Sequence, residues 1–338
     1  MMEHDAPPAE DAPAGAIGSR GAESGAQSGA TGLQPAAAEG ARWLLRAAES
    51  GLAEAQFEYG RLLLRKDIGA LAPTLSFSPK RAVFWLSKAA EQGQAEAAYE
   101  LGQIYRNPAF SQQNAAMSTQ WIATAARLGH AMAQYEYGAY LWRRRVSLGE
   151  SADVDAANWL VRAKQRGVQE AADLLEKIVD PLPRIAPELT LARRTASRTA
   201  AQVNQFYALR LELAGIFGLR KGEALFVDPV RAVSENVLLV DVRGEVGKTR
   251  RRLFEIADDA HAALLRRMQI VFGAAPTLEG DPSGDLSGDY GRRHAQMDAF
   301  CKKLGIDDEL FFSAKSENPA STEGDEPPPA AGKDTLTA

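Results

Sequence analysis

The stretch RAVFWLSKAAEQGQAEAAYELGQIY, residues 81–105, contains one full copy of a pattern that recurs along the chain. Trp85 is followed eight residues later by Gly93, with a pair of alanines between them, and Gly102 comes nine residues after Gly93. The apolar and small residues return every three or four positions, which is the period of an amphipathic α-helix. Glycine at the end of such a run favours a left-handed helix terminus. The stretch therefore predicts two helices joined by a tight turn at Gly93.

The same pattern occurs in four copies whose tryptophans are 36 to 42 residues apart. Each copy has a glycine eight residues after its tryptophan, and the first three have a second glycine nine residues further on, where the fourth has Glu176. A single hairpin cannot bury its own apolar face, so the copies must stack, with the tryptophans filling the space between layers. We expect these residues to be structural: Trp43, Gly51, Gly60, Trp85, Gly93, Gly102, Trp121, Gly129, Gly138, Trp159 and Gly167.

This pattern resembles the Sel-one-like repeat family, a relative of the tetratricopeptide repeat that is common in bacteria. The family pattern A-x-A-x-x-x-L-G-x-x-Y is matched by residues 95–105, and A-x-x-W-x-x-x-A-A-x-x-G is matched by residues 82–93. The resemblance covers residues 41–180. It departs from the family at Tyr59 and Tyr137, where leucine is usual, and in its degenerate last copy. It implies a right-handed α-solenoid that acts as a protein-interaction scaffold.

The composition along the chain predicts a structured body between two polar tails. Residues 1–34 and 313–338 are rich in small, acidic and proline residues that bury too little apolar surface to offset chain entropy, so both are predicted to be disordered acidic tails. Between them we expect the solenoid at residues 35–182, a helical region at 183–273, a flexible linker at 274–292 and a short helical segment at 293–312. The predicted fold class is all-α or nearly so.

The composition of the whole chain is that of an ordinary globular protein of one or two domains. The chain has 338 residues, a formal net charge of −5 and one cysteine, Cys301, so no intrachain disulfide forms and a reducing compartment is expected. The first residues lack the basic and apolar segments of a secretory signal, and no run approaches the ~18 apolar residues of a membrane span. We therefore expect a cytoplasmic protein that does not insert into a membrane.

The region after the repeats has helical periodicity of another kind, and no family is recognised there. Apolar residues recur every three or four positions in runs that end at Gly218, Gly273 and Gly305. These runs predict one long helix over residues 191–217, a second helix over 253–271 and a short last helix over 297–304. The segments LFVDPV (225–230) and VLLVDV (237–242) have the composition of short strands, but periodicity alone leaves their structure open.

A glutamate occupies the same position in three copies, because Glu58, Glu100 and Glu136 each lie seven residues after the repeat glycine. In the resembled family this helix lines the concave surface, so the resemblance implies an acidic ladder. Its neighbours there would be Arg61, Gln103 and Tyr140. One hypothesis is a groove that binds a basic or amide-rich peptide. The plainer interpretation, which the sequence alone favours, is that glutamate is a good helix former at an exposed site.

Basic residues cluster at several places from Arg143 onward, and such a patch can bind phosphate backbones without sequence specificity. The clusters are Arg143–Arg145, Arg193–Arg194, Lys248 with Arg250–Arg252, Arg266–Arg267 and Arg292–Arg293. The plainer interpretation, solvated helix faces, is again favoured. The segment VDVRGEVGKT (240–249) ends in Gly-Lys-Thr but has Val242 where a phosphate-binding loop requires glycine.

Neither a catalytic site nor a metal site nor a cofactor is predicted. Asp281, Asp285 and Asp289 are four residues apart, which does not suit a calcium loop, and none of the four histidines is paired at metal spacing. Cys301 lies on the apolar side of its helix, which predicts a core residue. The leading function is a protein-binding scaffold or adaptor whose partner is a protein or peptide. The alternative is a nucleic-acid- or phosphate-associated protein with a basic C-terminal domain, and an enzyme is the least favoured class.

Overall fold

The structure is a computed structural model that describes residues 28–71, 75–243, 251–274 and 289–313. The chain divides into two compact units, residues 1–130 and residues 131–338. The acidic tails, the linker and the Gly-Lys-Thr segment lie wholly or largely outside the described residues. The first helix begins at Ser28, within the residues predicted as the N-terminal tail.

The first unit is a succession of helices, each packed on the next long helix along the chain. Because each pair of neighbours is antiparallel and joined by a turn or loop, the helical-hairpin repeat fold predicted from the sequence is confirmed here. The helices are α1 (Ser28–Glu49), α2 (Ala53–Leu62), α3 (Ile68–Leu71), α4 (Pro79–Glu91), α5 (Ala95–Arg106) and α6 (Ala115–Leu128).

The four turn glycines adopt the left-handed conformation that the sequence predicted for them. Their φ angles are +96° at Gly51, +92° at Gly93, +99° at Gly129 and +87° at Gly167. An L-residue with a side chain is strained at such angles, whereas glycine is not. In the turn after α6, the amides of Gly129 and His130 donate to carbonyls of the last helical turn, which satisfies groups that a helix end leaves unpaired.

The second glycine of each copy lies where two helices approach most closely. A Cβ atom built on Gly60 would lie 2.8 Å from Leu86 Cγ, and one on Gly102 would lie 2.5 Å from Ile122 Cδ1. In the second unit, a Cβ atom on Gly138 would lie 3.0 Å from Leu160 Cγ. The first two distances are too short for carbon atoms in contact and the third is at the limit, so the absence of a side chain permits the close approach of the helices.

The repeat tryptophans differ in burial, and the prediction that all of them fill the space between layers is wrong for the first. Trp85 is buried and Trp121 and Trp159 are half-buried, whereas Trp43 is 60% exposed. Trp85 packs on Tyr59 of the preceding helix α2. Trp43 lies on α1, before which the described residues contain no helix, and Arg46 lies over its ring instead.

The second unit continues the repeat and then changes architecture. Helix α7 packs on α9, and α9 packs on α10, in the manner of the first unit. The helices are α7 (Ala131–Arg143), α8 (Arg145–Leu148), α9 (Ala152–Gln165), α10 (Gln169–Ile178), α11 (Pro187–Val203), α12 (Gln205–Phe217), α13 (Lys221–Phe226), α14 (Asp259–Gly273) and α15 (Tyr290–Leu304), with a 3-10 turn at Asp308–Leu310.

A three-stranded antiparallel sheet packs against the last repeat helices. Its strands, in spatial order, are β1 (Val233–Ser234), β2 (Val237–Val240) and β3 (Arg252–Glu255), with Leu238 opposite Phe254. Val237 and Leu253 share one core with Leu160 and Leu175 of α9 and α10. This apolar core crosses the boundary that the sequence placed at residue 182, because the sheet covers the face that another hairpin would otherwise bury.

Several elements of the C-terminal region differ from the sequence expectation. The long helix over 191–217 is two helices, because Asn204 interrupts it and its side chain accepts hydrogen bonds from the amides of Phe206 and Tyr207. The second helix begins at Asp259 rather than at Leu253, which lies in β3. The last helix begins at Tyr290, inside the predicted linker. Residues 237–240 form a strand, whereas residues 225–230 do not.

Candidate functional site

Glu58 and Arg61 lie on the solvent side of α2, opposite the face that the helix buries. Both side chains are about half exposed, and Arg61 Nη1 lies 3.4 Å from Glu58 Oε1 as an ion pair one helical turn apart. The guanidinium of Arg61 also lies 5.4 Å from the centre of the Phe57 ring. The two residues are accessible and hold each other in place.

Glu100 and Gln103 occupy the equivalent face of α5 in the same unit. Helix α5 buries Ala97, Leu101 and Gly102 against its neighbours, while Glu100 and Gln103 are half-buried. The structure therefore places Glu58 and Glu100 on equivalent faces of two repeat helices of one unit, as the copy alignment predicted.

Glu136 and Tyr140 lie on α7, in the second unit, and both are half-buried. The Tyr137 and Tyr140 rings stack with centroids 6.2 Å apart, and the guanidinium of Arg144 lies 5.8 Å from the centre of the Tyr140 ring. This aromatic and cationic patch was not predicted. Its signal in the sequence was the tyrosine at residue 137, where the resembled family has leucine.

A second candidate site lies among α11, α12 and α14 of the second unit. It is a cavity of about 460 Å³ whose wall carries four arginines, namely Arg193, Arg194, Arg198 and Arg267, beside one glutamate, Glu212. Apolar side chains form the remainder of the wall, among them Ile216, Leu264 and Phe311. We refer to this cavity as the arginine pocket. Its volume is within the range of small-molecule sites, which is about 300–1,000 Å³.

Two of the four arginines in the arginine pocket are engaged with the protein. Arg193 donates through Nη1 to the carbonyl of Gly215 at 2.8 Å and through Nε to the carbonyl of Leu310. Burial lowers the pKa of the Arg193 guanidinium. Arg267 is paired with Glu212. Arg194 and Arg198 are exposed, and neither forms an ion pair or a side-chain hydrogen bond with the part of the chain that the structure describes.

Three arginines of the other basic clusters are engaged inside the second unit. Arg251 pairs with Asp153 at 3.0 Å and with Asp241 at 3.5 Å. Arg252 pairs with Glu223 at 2.7 Å and with Asp180 at 3.3 Å. Arg293 is buried and donates to the carbonyl of Leu225. These three side chains stabilise the fold, whereas the other described members of these clusters are exposed, namely Arg143–Arg145, Arg266 and Arg292, and residues 244–250 lie outside the described residues.

Within the described ranges, no group of three or more histidine, cysteine, aspartate or glutamate side chains could hold a metal ion. Asp289 is the N-cap of α15, while Asp281 and Asp285 lie outside those ranges. Cys301 is 3% exposed, which confirms it as a core residue, and burial raises the pKa of its thiol to about 11. The described helices include none that is both long and apolar enough to cross a bilayer.

No family model matches the chain, and no curated protein matches it. Among solved structures, the chain is similar to a Sel1 repeat protein from Oxalobacter formigenes, with 29% identity and a TM-score of 0.34, over 40% of this chain and 95% of that chain. It is also similar to a protective antigen present in uropathogenic Escherichia coli strains that displays an SLR fold.

For that antigen the identity is 19% and the TM-score 0.35, over 79% of this chain and 48% of the other, so the chain spans about half of its length. Both similar proteins are of the Sel-one-like type that the sequence pattern predicted. The helical-hairpin repeat itself is defined by the helices, turns and glycine contacts described above.

Proposed function

We propose that this protein is a regulatory scaffold that binds a basic segment of a partner protein along the exposed faces of α2 and α5. We refer to this surface, formed by Glu58, Arg61, Glu100 and Gln103, as the acidic repeat face. Repeat proteins of this architecture present extended surfaces on which a long peptide can be held by many small contacts.

The single observation that supports the proposal most is the equivalence of Glu58 and Glu100. Each lies two residues before the glycine that contacts the next long helix, and residues two apart on an α-helix point in nearly opposite directions, so each glutamate faces away from that contact. A basic ligand would meet one carboxylate per repeat, in a spacing fixed by the stacked helices. On α7, in the second unit, we propose a separate contact at Glu136 and Tyr140, the residues at the equivalent positions of that helix.

The ion pair between Glu58 and Arg61 does not oppose such a ligand strongly. Both side chains are about half exposed, and an exposed pair of this kind contributes only about 0–1 kcal/mol. A lysine or arginine of the partner can therefore replace Arg61 at Glu58 at little cost. The proposal places the protein in the cytoplasm, in agreement with its single, buried and unpaired cysteine.

The test compares two charge-reversal variants of the full chain. Glu58→Lys with Glu100→Lys changes the acidic repeat face. Glu49→Lys with Glu91→Lys is the matched control, because these exposed residues end α1 and α4 and the change in net charge is the same. Partners are captured from a cell lysate, identified, and their affinity for each purified variant is measured by calorimetry.

The proposal expects a partner whose affinity falls by about tenfold or more in the face variant, which corresponds to about 1.4 kcal/mol. The control variant should bind as the wild type does, and circular dichroism should show equal helix content in all three. Equal loss of affinity in both variants would show that net charge, rather than the acidic repeat face, determines binding. A partner that neither variant affects would show that the acidic repeat face is a solvated surface.

A further inference from the structure

We propose that the arginine pocket binds a small organic dianion of the phosphomonoester class. The pocket lies among α11, α12 and α14 and contains no residue of the acidic repeat face. The inference is therefore independent of the proposed scaffold function. It rests on the charge of the pocket, on the donors that converge on it and on the size and polarity of its wall.

The charge of the pocket is positive and only partly neutralised by the protein. Glu212 is paired with Arg267, and Arg193 is fixed by two backbone carbonyls. Arg194 and Arg198 remain, one helical turn apart on α11. Like charges at this spacing destabilise a helix by a few tenths of a kcal/mol, by about as much as opposite charges stabilise it. An anion held between the two guanidinium groups removes that repulsion.

Two unengaged guanidinium groups match a ligand that carries two negative charges. A phosphomonoester has a charge of about −1.5 to −2 at neutral pH, together with three strong acceptor oxygens. The planar fork of arginine binds phosphate oxygens in a bidentate manner, which a lysine does not do. A phosphate dianion therefore neutralises the charges of Arg194 and Arg198 together, whereas a monoanion neutralises one of them.

Two further polar groups lie at the wall of the pocket. Ser197 is 5% exposed and contributes to the wall. The Nδ1 atom of His261 is buried and has no hydrogen-bond partner among the described residues. Buried polar groups in folded proteins almost always have a partner, so this Nδ1 atom is suited to a remaining polar group of a ligand.

The remainder of the wall indicates an organic ligand rather than free phosphate. Ile216, Leu264 and Phe311 supply an apolar surface, and the volume of about 460 Å³ is several times what one phosphate group fills. The bonds from Arg193 to Gly215 and Leu310 hold α11 against α12 and the 3-10 turn, so the pocket is formed before a ligand arrives. A nucleic-acid strand, in contrast, needs a basic surface that continues beyond the pocket, and Arg251, Arg252 and Arg293 are engaged with other groups of the second unit.

The test measures binding of phenyl phosphate to the full chain by calorimetry at about pH 7.5, where this probe is a dianion. Phenyl sulfate is the monoanionic comparison, phthalate is the dicarboxylate comparison, and a single-stranded oligonucleotide represents a polymer backbone. The pocket variant is Arg194→Gln with Arg198→Gln. The matched control is Lys302→Gln with Lys303→Gln, which removes two exposed positive charges from the last turn of α15.

The proposal expects saturable binding of one phenyl phosphate per chain, weakened by at least about tenfold in the pocket variant and unchanged in the control. Phenyl sulfate should bind more weakly than phenyl phosphate. Because Arg194 and Arg198 are exposed and have no protein partner among the described residues, the pocket variant should unfold at the wild-type temperature.

Absence of phenyl phosphate binding, or binding that both variants retain, would overturn the proposal. Equal affinity for phthalate and phenyl phosphate would show that the pocket does not select the phosphate class. If the oligonucleotide bound more tightly than phenyl phosphate and the pocket variant lost that binding, the site would be one for a nucleic-acid strand.

Discussion

The ring of Tyr59 packs edge-on against the ring of Trp85, with centroids 5.7 Å apart and planes at 89°. Tyr137 and Trp159 form the same arrangement in the second unit, again with centroids 5.7 Å apart. The two tyrosines that depart from the family pattern are therefore those that face a repeat tryptophan on the next long helix. An edge-to-face aromatic pair contributes about 0.5–1.5 kcal/mol beyond its buried area, which compensates for the change from leucine.

This contact predicts that equal substitutions of two repeat tryptophans have unequal effects. Trp85→Ala removes a side chain that is 9% exposed and leaves a cavity beside Tyr59, so we expect a loss of about 3–5 kcal/mol in the free energy of unfolding. Trp43→Ala is the matched control. Its side chain is 60% exposed, and its loss should be below about 1 kcal/mol. Urea unfolding followed by circular dichroism measures both, and equal losses would contradict the structure.

The close approach at Gly102 gives a second prediction. Gly102→Ala places a Cβ atom 2.5 Å from Ile122 Cδ1 and 2.8 Å from Ile122 Cγ1, so the Ile122 side chain or the helices must shift, at a cost of about 1–3 kcal/mol. Ile122→Val deletes that Cδ1 atom and should recover part of the loss when the two substitutions are combined.

Gly40→Ala provides the control for the glycine substitution. Gly40 lies in α1, and a Cβ atom built on it would meet no other atom within 4 Å, so alanine there should stabilise the helix by about 0.5–1 kcal/mol. Thermal unfolding of the four variants separates the steric effect from helix propensity. An increase in the unfolding temperature of Gly102→Ala would contradict the close contact between α5 and α6.

The repeat region could be predicted because its determinants are local. Gly93 and Gly129 end helices at positive φ, and glycine is the residue that adopts such angles without strain. The exposure of Trp43 could not be predicted, because burial of a repeat tryptophan depends on a helix that precedes it. The break at Asn204 carried a local signal, since asparagine is a preferred N-cap residue, but the continuous apolar periodicity on either side masked it.

The C-terminal region was less predictable because its contacts join residues that are distant in sequence. Leu253 belongs to a strand only because β3 pairs with β2, and its apolar neighbours alone fit a helix equally well. The arginine pocket likewise combines Arg193 of α11 with Arg267 of α14. The sequence showed both as members of basic clusters, but it did not show which arginines would be paired and which would remain unengaged.

A buried ion network in the second unit gives a third prediction. Arg252 pairs with Glu223, which is 1% exposed, and with Asp180. Arg252→Met leaves both carboxylates without their cation in a largely buried site, so we expect a loss of about 3–5 kcal/mol. Arg252→Lys keeps the charge but not the planar fork, and its loss should be intermediate. Denaturant unfolding measures the free energy of unfolding of the three proteins. A methionine variant as stable as the wild type would show that the network does not stabilise the native fold.

The buried thiol of Cys301 gives a prediction about pH. Burial raises its pKa from 9.0 to about 11, so the folded chain retains the proton at pH values where the unfolded chain has lost it. Stability is therefore unaffected by this group below about pH 9 and falls as the pH rises toward about 11. Cys301→Ala removes the titrating thiol. Because the substitution leaves a small cavity, the variant should be less stable than the wild type at about pH 8. The difference in the free energy of unfolding between the two proteins should shrink by about 1–2 kcal/mol between pH ~9 and ~11. Urea unfolding of both proteins across this range measures the difference, and a difference that stays constant with pH would mean that the thiol titrates alike in the folded and unfolded chains.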